Sequence, residues 1–597
     1  MKIKQLLYIG VAALTLASCN DDFLERYPED ALSEKNFFKN VADLEAYNNG
    51  LYSWGAATDD NVSDNTMYCE SSGVFNRMQD LITPEEVGQW SWSRLRSINF
   101  LICRVGQCEG NAADINHHLG LARLYRAKEY YGKVQTYNDV PWYSKDLKTT
   151  DEEELYKTQD PRELVVDSIM ADLDFAVKHM KDGNSKTKIY KVVALFEQAR
   201  IALNEGTFRK YHPELGLNDY DKFLQLAVTA SQAIMDNYKY SISTAPSGSL
   251  PPYRALFSSL DLSTNPEVIL LQDNDKALDR KYHIGTLFNY NHSISRSLME
   301  DYLYITEDGK AVPFTSIEGY ETMPVTEVGK NRDPRMAETI MPMGWKREWS
   351  KKIEQQKIEF GGYNQVKFCL NTPQDMWGWG EAYNDLPIIR YARVLLINAE
   401  AKAELGILTQ DDVDATINQL RRRVGMPDAN LAEWLSNPDP VQIARYHNIN
   451  SKQKGAVAEI RRERRIELAC EGVRYNDLMR WGLGEILTVP AEGIYVSGWG
   501  YFDTNGDGLE DCGLFPTKED SEAAKDQLSD EARNNVTTLV VDSKSPICLS
   551  EGDHGYIRRT AHVNANFKWV TKYYYNPVSV KDINLNPNLV QNKFWAE

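Results

Sequence analysis

Apolar positions recur at helical spacing through most of the first 240 residues. Val41, Leu44, Tyr47 and Leu51 mark one face of a helix that Ser33 can start, and Leu95, Ile98, Leu101, Ile102 and Val105 mark another over about 91–107. Further helices are predicted at about 112–137, 161–181, 188–205 and 219–237. Ala194, Ala199 and Ala202, with Ala227, Ala230 and Ala233, put small residues where close-packed helix pairs need them, although no strict 34-residue period runs through them. SISTAPSGSLPP, at 241–252, is a turn-rich break. Beyond it the pattern changes. Residues 265–271 read as a buried strand, and 280–385 alternate short strands with loops rich in Gly and aromatics. A helix returns at 387–405, with Pro387 in its first turn and Gly406 just past its end, and 411–424 is its partner. Residues 53–89 lack a long helical period and form an extended loop, of a length that in a compact body is usually functional or disordered.

One predicted helix, 457–482 (VAEIRRERRIELACEGVRYNDLMRWG), breaks the apolar pattern. Ile460, Leu468, Ala469 and Leu478 supply only a broken stripe, while Arg461, Arg462, Arg464 and Arg465 crowd two turns with Glu459, Glu463 and Glu467. The four glutamates at 459, 463, 467 and 471 stack at i,i+4, as do Arg461 and Arg465. Pairs such as Arg464 with Glu467 and Glu471 with Arg474 each contribute only about 0.2–0.5 kcal/mol, so these charges need partners elsewhere in the fold.

Glu463 to Trp481 reads E-R-R-x-E-L-x-x-E-G-x-R-x-x-D-L-x-R-W, which resembles the SusD/RagB family of outer-membrane nutrient-binding lipoproteins. Other segments resemble the family in the right order: FLERYPEDALSEKNFF near the start, LARLYRAKEYYGKVQTYNDVP at 121–141, RYARVLLINAEA at 390–401 and PVSVKDINLNPNLVQN at the end. Asn138 stands where the pattern usually has Gly, a change compatible with a left-handed helix cap, and Asp582 replaces the usual Glu. The resemblance implies a mainly α fold. A scaffold of tetratricopeptide-type helix pairs over 19–245 would precede a mixed region of loops, short strands and helices over 246–597. It implies capture of a nutrient, most readily a glycan, and delivery to a SusC-like TonB-dependent barrel in the outer membrane. Some relatives serve peptide uptake, so a peptide is an alternative ligand. A surface glycoside hydrolase is the rival from another class.

Composition fits a surface protein of this kind. With 67 basic and 86 acidic residues the chain carries −19, and loss of Lys2 and Lys4 with a leader takes it to −21. Such a surface disfavours nucleic acid and anionic membranes, which need basic patches. Residues 1–18 read as a signal peptide: two lysines, an apolar run at Leu6–Leu16 too short to span a bilayer, then Leu-Ala-Ser before Cys19. That ending resembles a lipobox in which Cys19 is acylated, and Asn20-Asp21-Asp22 resembles the tag for the outer leaflet. The seven other cysteines include no C-x-x-C and read as mostly buried apolar residues, without a disulfide framework or zinc site.

No H-E-x-x-H, G-x-S-x-G or phosphate-binding glycine loop occurs, and no catalytic cofactor is expected. Asp503, Asn505, Asp507 and Asp511, with Gly508 for the turn and the Leu509 carbonyl, have the spacing of a structural calcium loop; the Glu of an EF-hand is missing at Leu514. The candidate ligand contacts are aromatics in two loop regions, where sugar rings can stack: Trp54 and Tyr68 in the first, and Tyr282, Tyr290, Trp345, Trp377 and Trp379 in the second.

Overall fold

The computed structural model describes residues 37–67, 73–282, 293–347, 349–369 and 380–596. Where the helical period is strongest, helices form almost to the residue. They are α1 (Val41–Gly50), α3 (Ser93–Arg104), α4 (Ala112–Tyr137), α5 (Arg162–His179), α6 (Lys191–Tyr211, running six residues past its expected end) and α7 (Tyr220–Asn237), whereas the short α2 (Gly73–Met78) forms inside 53–89, where a loop was expected. Asn40 caps α1 in a reciprocal box with Asp43. Asn138 ends α4 at a positive φ of 73°, its N–H bonded to the Val134 carbonyl, as a residue standing in for Gly must. Helices α4 to α7 pack each on the next, and α7 packs on α9 (Tyr391–Leu405). Ala194, Ala199, Ala202, Ala227 and Ala230 are all buried between them. The fold is mainly α with few short strands, as expected.

Three predicted helices differ. The 387–405 segment is strand β2 (Leu386–Arg390) followed by α9. Pro387 lies in that strand, at an irregularity in its antiparallel pairing with β1 (Val268–Gln272). A proline is tolerated there because the shifted register needs no N–H from it. The 411–424 helix breaks at Thr416, leaving α10 (Ile417–Arg423). The 457–482 helix is two, α11 (Lys454–Glu467) and α12 (Arg474–Arg480), parted by Cys470 and Gly472 at φ 64° and 68°. The Asp60 carboxylate accepts the N–H groups of Cys470 (2.6 Å) and Gly472 (3.0 Å), holding the break open. A Cβ on Gly472 would lie 2.6 Å from that of Ala57, so the loop and the break fit only with glycine there.

Between α7 and α9 lies helix α8 (Arg296–Asp301). The C-terminal part adds two three-stranded sheets. One has the order β7 (Ile547–Leu549), β8 (Gly555–Arg559), β3 (Glu492–Val496), all antiparallel. In the other, β6 (Thr537–Val540) runs parallel to β5 (Cys512–Phe515), which is antiparallel to β4 (Gly500–Phe502). The main apolar core joins α3–α7 to the 388–483 segment, and a second core lies under the strands.

Helix α11 runs through the middle, and every residue from Gly455 to Glu467 is buried. Beside one local pair, Arg462 with Glu459 at 3.3 Å, most of its charges find distant partners. Glu467 accepts from Arg390 (2.6 Å), Arg423 (2.6 and 2.7 Å) and Arg335 (3.1 Å). Glu463 pairs with Arg335 and Arg421, Arg464 with Asp477, Arg461 with Glu404 and Arg465 with Asp301. Buried charges persist only when so paired. The described cysteines are all free; Cys369, Cys470 and Cys512 are buried, but Cys103 is exposed.

Candidate functional site

A cavity of about 550 Å³ opens between the 53–67 loop, α2, α8 and the β3/β8 edge. The loop is pinned from beneath. Asp60 grips the α11–α12 break, and Asn65 donates to Asp60 at 2.8 Å. Asp64 accepts from Arg465 (2.9 Å) and Arg474 (2.8 Å). Burial alone would raise the Asp64 pKa, but the two guanidiniums outweigh it and hold the carboxyl well below its usual range. The charged helix therefore fixes the loop that presents Asn61 and Val62 to the cavity.

One wall is apolar: Phe75 and Met78 of α2 face Ile486, Leu487 and Val489, the last 69% exposed. Arg77 ties α2 to the C-terminal tail by donating to the Tyr573 carbonyl at 2.6 Å. The other wall is charged, and its charges are paired. Arg296 holds Glu300 (2.6 Å) and Glu492 (2.8 Å) and lies 3.7 Å over the Tyr556 ring. Arg558, the cross-strand partner of Glu492, donates to it from Nε at 3.0 Å. Arg445 donates to both oxygens of Asp301 (2.5 and 2.6 Å), and His447 meets Glu485 at 3.0 Å.

Among the described residues three lining side chains have a buried polar atom outside any hydrogen bond: Glu300 Oε1, which is held in the ion pair with Arg296, and Asn61 Oδ1 and His562 Nε2, which have no protein partner. The His562 ring sits 5.4 Å from Phe75 and 5.7 Å from Phe567. Burial, aided by Arg559, pushes its pKa down to about 4, so the ring is neutral at pH 7. Leaving such atoms unpaired costs about 1–3 kcal/mol each. A bound hydroxyl would satisfy either. Carbon walls beside unpaired neutral hydrogen-bonding atoms suit a ligand with apolar faces and many hydroxyls.

The predicted aromatics that are described, Trp54, Tyr282 and Trp345, lie outside this cavity. Trp54 is 8% exposed; its indole donates to Glu197 at 3.2 Å, Lys128 lies 4.6 Å over one face and Tyr125 packs at 5.3 Å. No face is left for stacking, so Trp54 is a core residue. Tyr282 is half-buried, donates to Asn384 at 2.6 Å, and packs with Trp345 on the small core of Met341, Val366, Cys369 and Ala382, away from the cavity. Tyr68, Tyr290, Trp377, Trp379 and Cys19 lie outside the described residues. Trp90 and Trp92, in a T-shaped pair, wall a separate cavity of about 290 Å³, where Asp582 accepts the Trp90 backbone N–H at 3.0 Å. Sequence reasoning marked the 53–89 loop but missed Asn61, Phe75 and His562 within the site, because no motif surrounds them.

In the 503–511 loop Asp503 accepts the N–H groups of Asn505 (3.0 Å), Gly506 (2.6 Å) and Gly508 (2.9 Å), and Asp507 accepts that of Leu509 (2.9 Å). Asp511 accepts from the Thr504 N–H and hydroxyl through Oδ1, and its buried Oδ2 has no partner. Burial, with Asp503 and Asp507 adding, pushes the Asp511 pKa up to about 6. Among the described residues no three Asp, Glu, His or Cys side chains stand together as a ready-made metal cluster. The loop's oxygens serve its own N–H groups.

Comparison with known proteins agrees with this architecture. The SusD-like proteins P38 and P2 of Formosa agariphila are 23% and 24% identical over 530 and 541 residues, covering 82% of this chain and 92% and 93% of theirs. A SusD-like carbohydrate-binding protein of Bacteroides fragilis superposes with a TM-score of 0.64 at 18% identity, over 93% of this chain and all of that one. A second SusD-like protein of that organism gives 0.65 at 17%, over 95% and 100%. Both show the same fold. The SusD family model matches residues 266–595, more than half of the chain, and the chain belongs to the SusD family.

Proposed function

We propose that this protein captures a saccharide in the cavity between the 53–67 loop and β8, without chemical change. It would act as a lipid-anchored lid, held through Cys19, that delivers its ligand to a SusC-like TonB-dependent barrel. The observation that carries the capture is the pairing of unpartnered Asn61 Oδ1 and His562 Nε2 with an apolar wall. The name of the Bacteroides fragilis structure, a carbohydrate-binding protein, points the same way. Non-catalytic binding is supported by the lining carboxylates: among the described residues Asp64, Glu300 and Glu492 each sit on a guanidinium and Glu485 on His447, leaving no free pair there for glycoside hydrolysis.

Calorimetry against an oligosaccharide panel tests this reading. His562→Ala is expected to weaken binding about tenfold, the loss of one hydrogen bond of about 1–1.5 kcal/mol, with an unchanged Tm. New reducing ends formed with sustained turnover would overturn the non-catalytic reading. Binding confined to a peptide array would replace saccharide by peptide.

Calcium in the 503–511 loop is a separate proposal, carried by the unpartnered Asp511 Oδ2. Asp503, Asn505, Asp507, Asp511 and the Leu509 carbonyl would hold the ion, and the carboxylates must turn from N–H groups to do so. Affinity near the millimolar range of extracellular modules is therefore expected. Terbium luminescence sensitised by nearby Tyr501 should appear, fall on adding Ca²⁺, and be absent in Asp511→Asn. No sensitised emission would leave the loop an ordinary Asx turn.

A further inference from the structure

The cavity bears on which class of saccharide is taken, an inference that rests on the saccharide reading above. We infer that the ligand is a neutral oligosaccharide, not one carrying uronate carboxylates or sulfate esters. A sugar anion is normally held by a guanidinium or ammonium whose N–H groups are free to face it. Among the described residues no lysine lines this cavity. Its three arginines are already committed: Arg296 to Glu300 and Glu492, Arg558 to Glu492, and Arg445 to both oxygens of Asp301. Among the described residues the lining holds four carboxylates against three guanidiniums, a formal charge of −1 before any histidine is counted. An anionic sugar would meet a surplus of negative charge here, on a chain of −19 overall.

Among the described residues the lining atoms left with neither a hydrogen bond nor an ion pair are neutral ones, since Glu300 Oε1 is held by Arg296. Asn61 Oδ1 can only accept, so it fits a hydroxyl donor; the neutral His562 ring either donates or accepts at Nε2, so it fits a hydroxyl in either sense. A carboxylate or sulfate has no proton for Asn61 at neutral pH. Phe75, Met78, Ile486 and Leu487 meanwhile offer carbon surface to the C–H face of a ring. Each side of the cavity thus matches one side of an uncharged pyranose.

The experiment is affinity electrophoresis and calorimetry on the full mature chain. One arm uses neutral polymers (β-glucan, α-glucan, mannan, xylan), the other polygalacturonate, alginate and a sulfated galactan, each at 50 and 500 mM NaCl. Binding of a neutral member, at least tenfold tighter than any polyanion and unchanged by salt, is expected. Salt-sensitive retention by a polyanion as tight as or tighter than by any neutral member would overturn the inference while leaving saccharide capture standing. Retention by none of them would overturn the saccharide reading itself. Glu492→Gln supplies a converse test, because it removes the carboxylate that holds Arg558 and loosens Arg296. In that variant oligogalacturonide affinity should rise at least tenfold over the parent, with the thermal midpoint recorded alongside. A folded variant with no such gain would show that pairing is not what excludes anions.

Discussion

Glu467→Gln is expected to destabilise the fold by about 3–5 kcal/mol, a large part of the 5–15 kcal/mol that holds a typical domain together. Glu467 belongs to one continuous buried network. Asp333 and Glu463 meet on Arg335; Glu463 continues to Arg421; Glu467 joins Arg335, Arg423 and Arg390; Glu267 bridges Arg423 and Arg390; and Glu471 links Arg390 to Lys367. Five cations thus face five carboxylates, and the network is neutral. Removing one carboxylate charge leaves a buried surplus positive charge among Arg335, Arg390 and Arg423, each nearly inaccessible to water. The penalty comes from that unpaired charge, not from the intrinsic worth of the ion pair. Urea unfolding followed by tryptophan fluorescence should show a markedly lower midpoint and reduced soluble yield. Glu522→Gln, at the exposed Lys518–Glu522 pair, should leave the midpoint where it is. Equal behaviour of the two variants would mean that water reaches the network and screens it.

The same network explains what the sequence could and could not disclose. The over-charged 457–482 stretch announced that its arginines needed distant partners, and they have them. Which partners could not be read, because Arg390, Arg423 and Asp64 come from segments with no motif in common. The break at Cys470–Gly472 was hidden for the same reason: Asp60, some 410 residues away, holds it. Helices α4 to α7 were legible because burial of an apolar stripe is a local pattern with a period. Strand β2 was misread as helix because Leu386–Arg390 is buried throughout, and a short buried run such as Leu-Pro-Ile-Ile has no period to tell strand from helix.

The site was legible only as a region. A tryptophan in a long polar loop reads as a stacking platform, yet Trp54 is turned inward by its bond to Glu197. His562 and Asn61 have no sequence signal at all. Their place in the site depends on two facts of tertiary structure: the loop is clamped by Arg465 and Arg474, and the tail is tied to α2 by Arg77. A binding site made of chain crossings cannot be found by spacing.

Stability should stay nearly level from pH 7 to about 4.5 and then fall steeply. Two sets of buried groups oppose each other in the upper window. Burial raises Asp60 and Asp511 to about 6, so between about 6 and 4 the folded chain binds more protons than the unfolded one, and stability grows as pH falls. Burial lowers His117 and His562 to about 4 from an ordinary 6.5, so there the unfolded chain binds more protons, and stability shrinks as pH falls. The two effects have opposite sign and similar range, and burial adds His118 to the second set and Glu300, Glu338, Asp385 and Glu459 to the first, which gives the plateau. Below it nothing compensates. For Glu471, burial favours the neutral acid, but Arg390 and Lys367 outweigh it and hold the pKa at about 2; Asp64, Asp301 and Glu467 are depressed by their own arginines in the same way. Stability from such depressed carboxylates is complete above the unfolded value near 4 and drains away as pH drops toward their folded values. Urea midpoints measured from pH 7.5 to 3 check this course. A steady decline from 7 to 5 would show that Asp60 and Asp511 stay ionised in the folded chain. Asp60→Asn separates the two sets: with one of the opposing gains gone, its midpoint should slope downward between pH 6 and 4.5, where the parent's stays level.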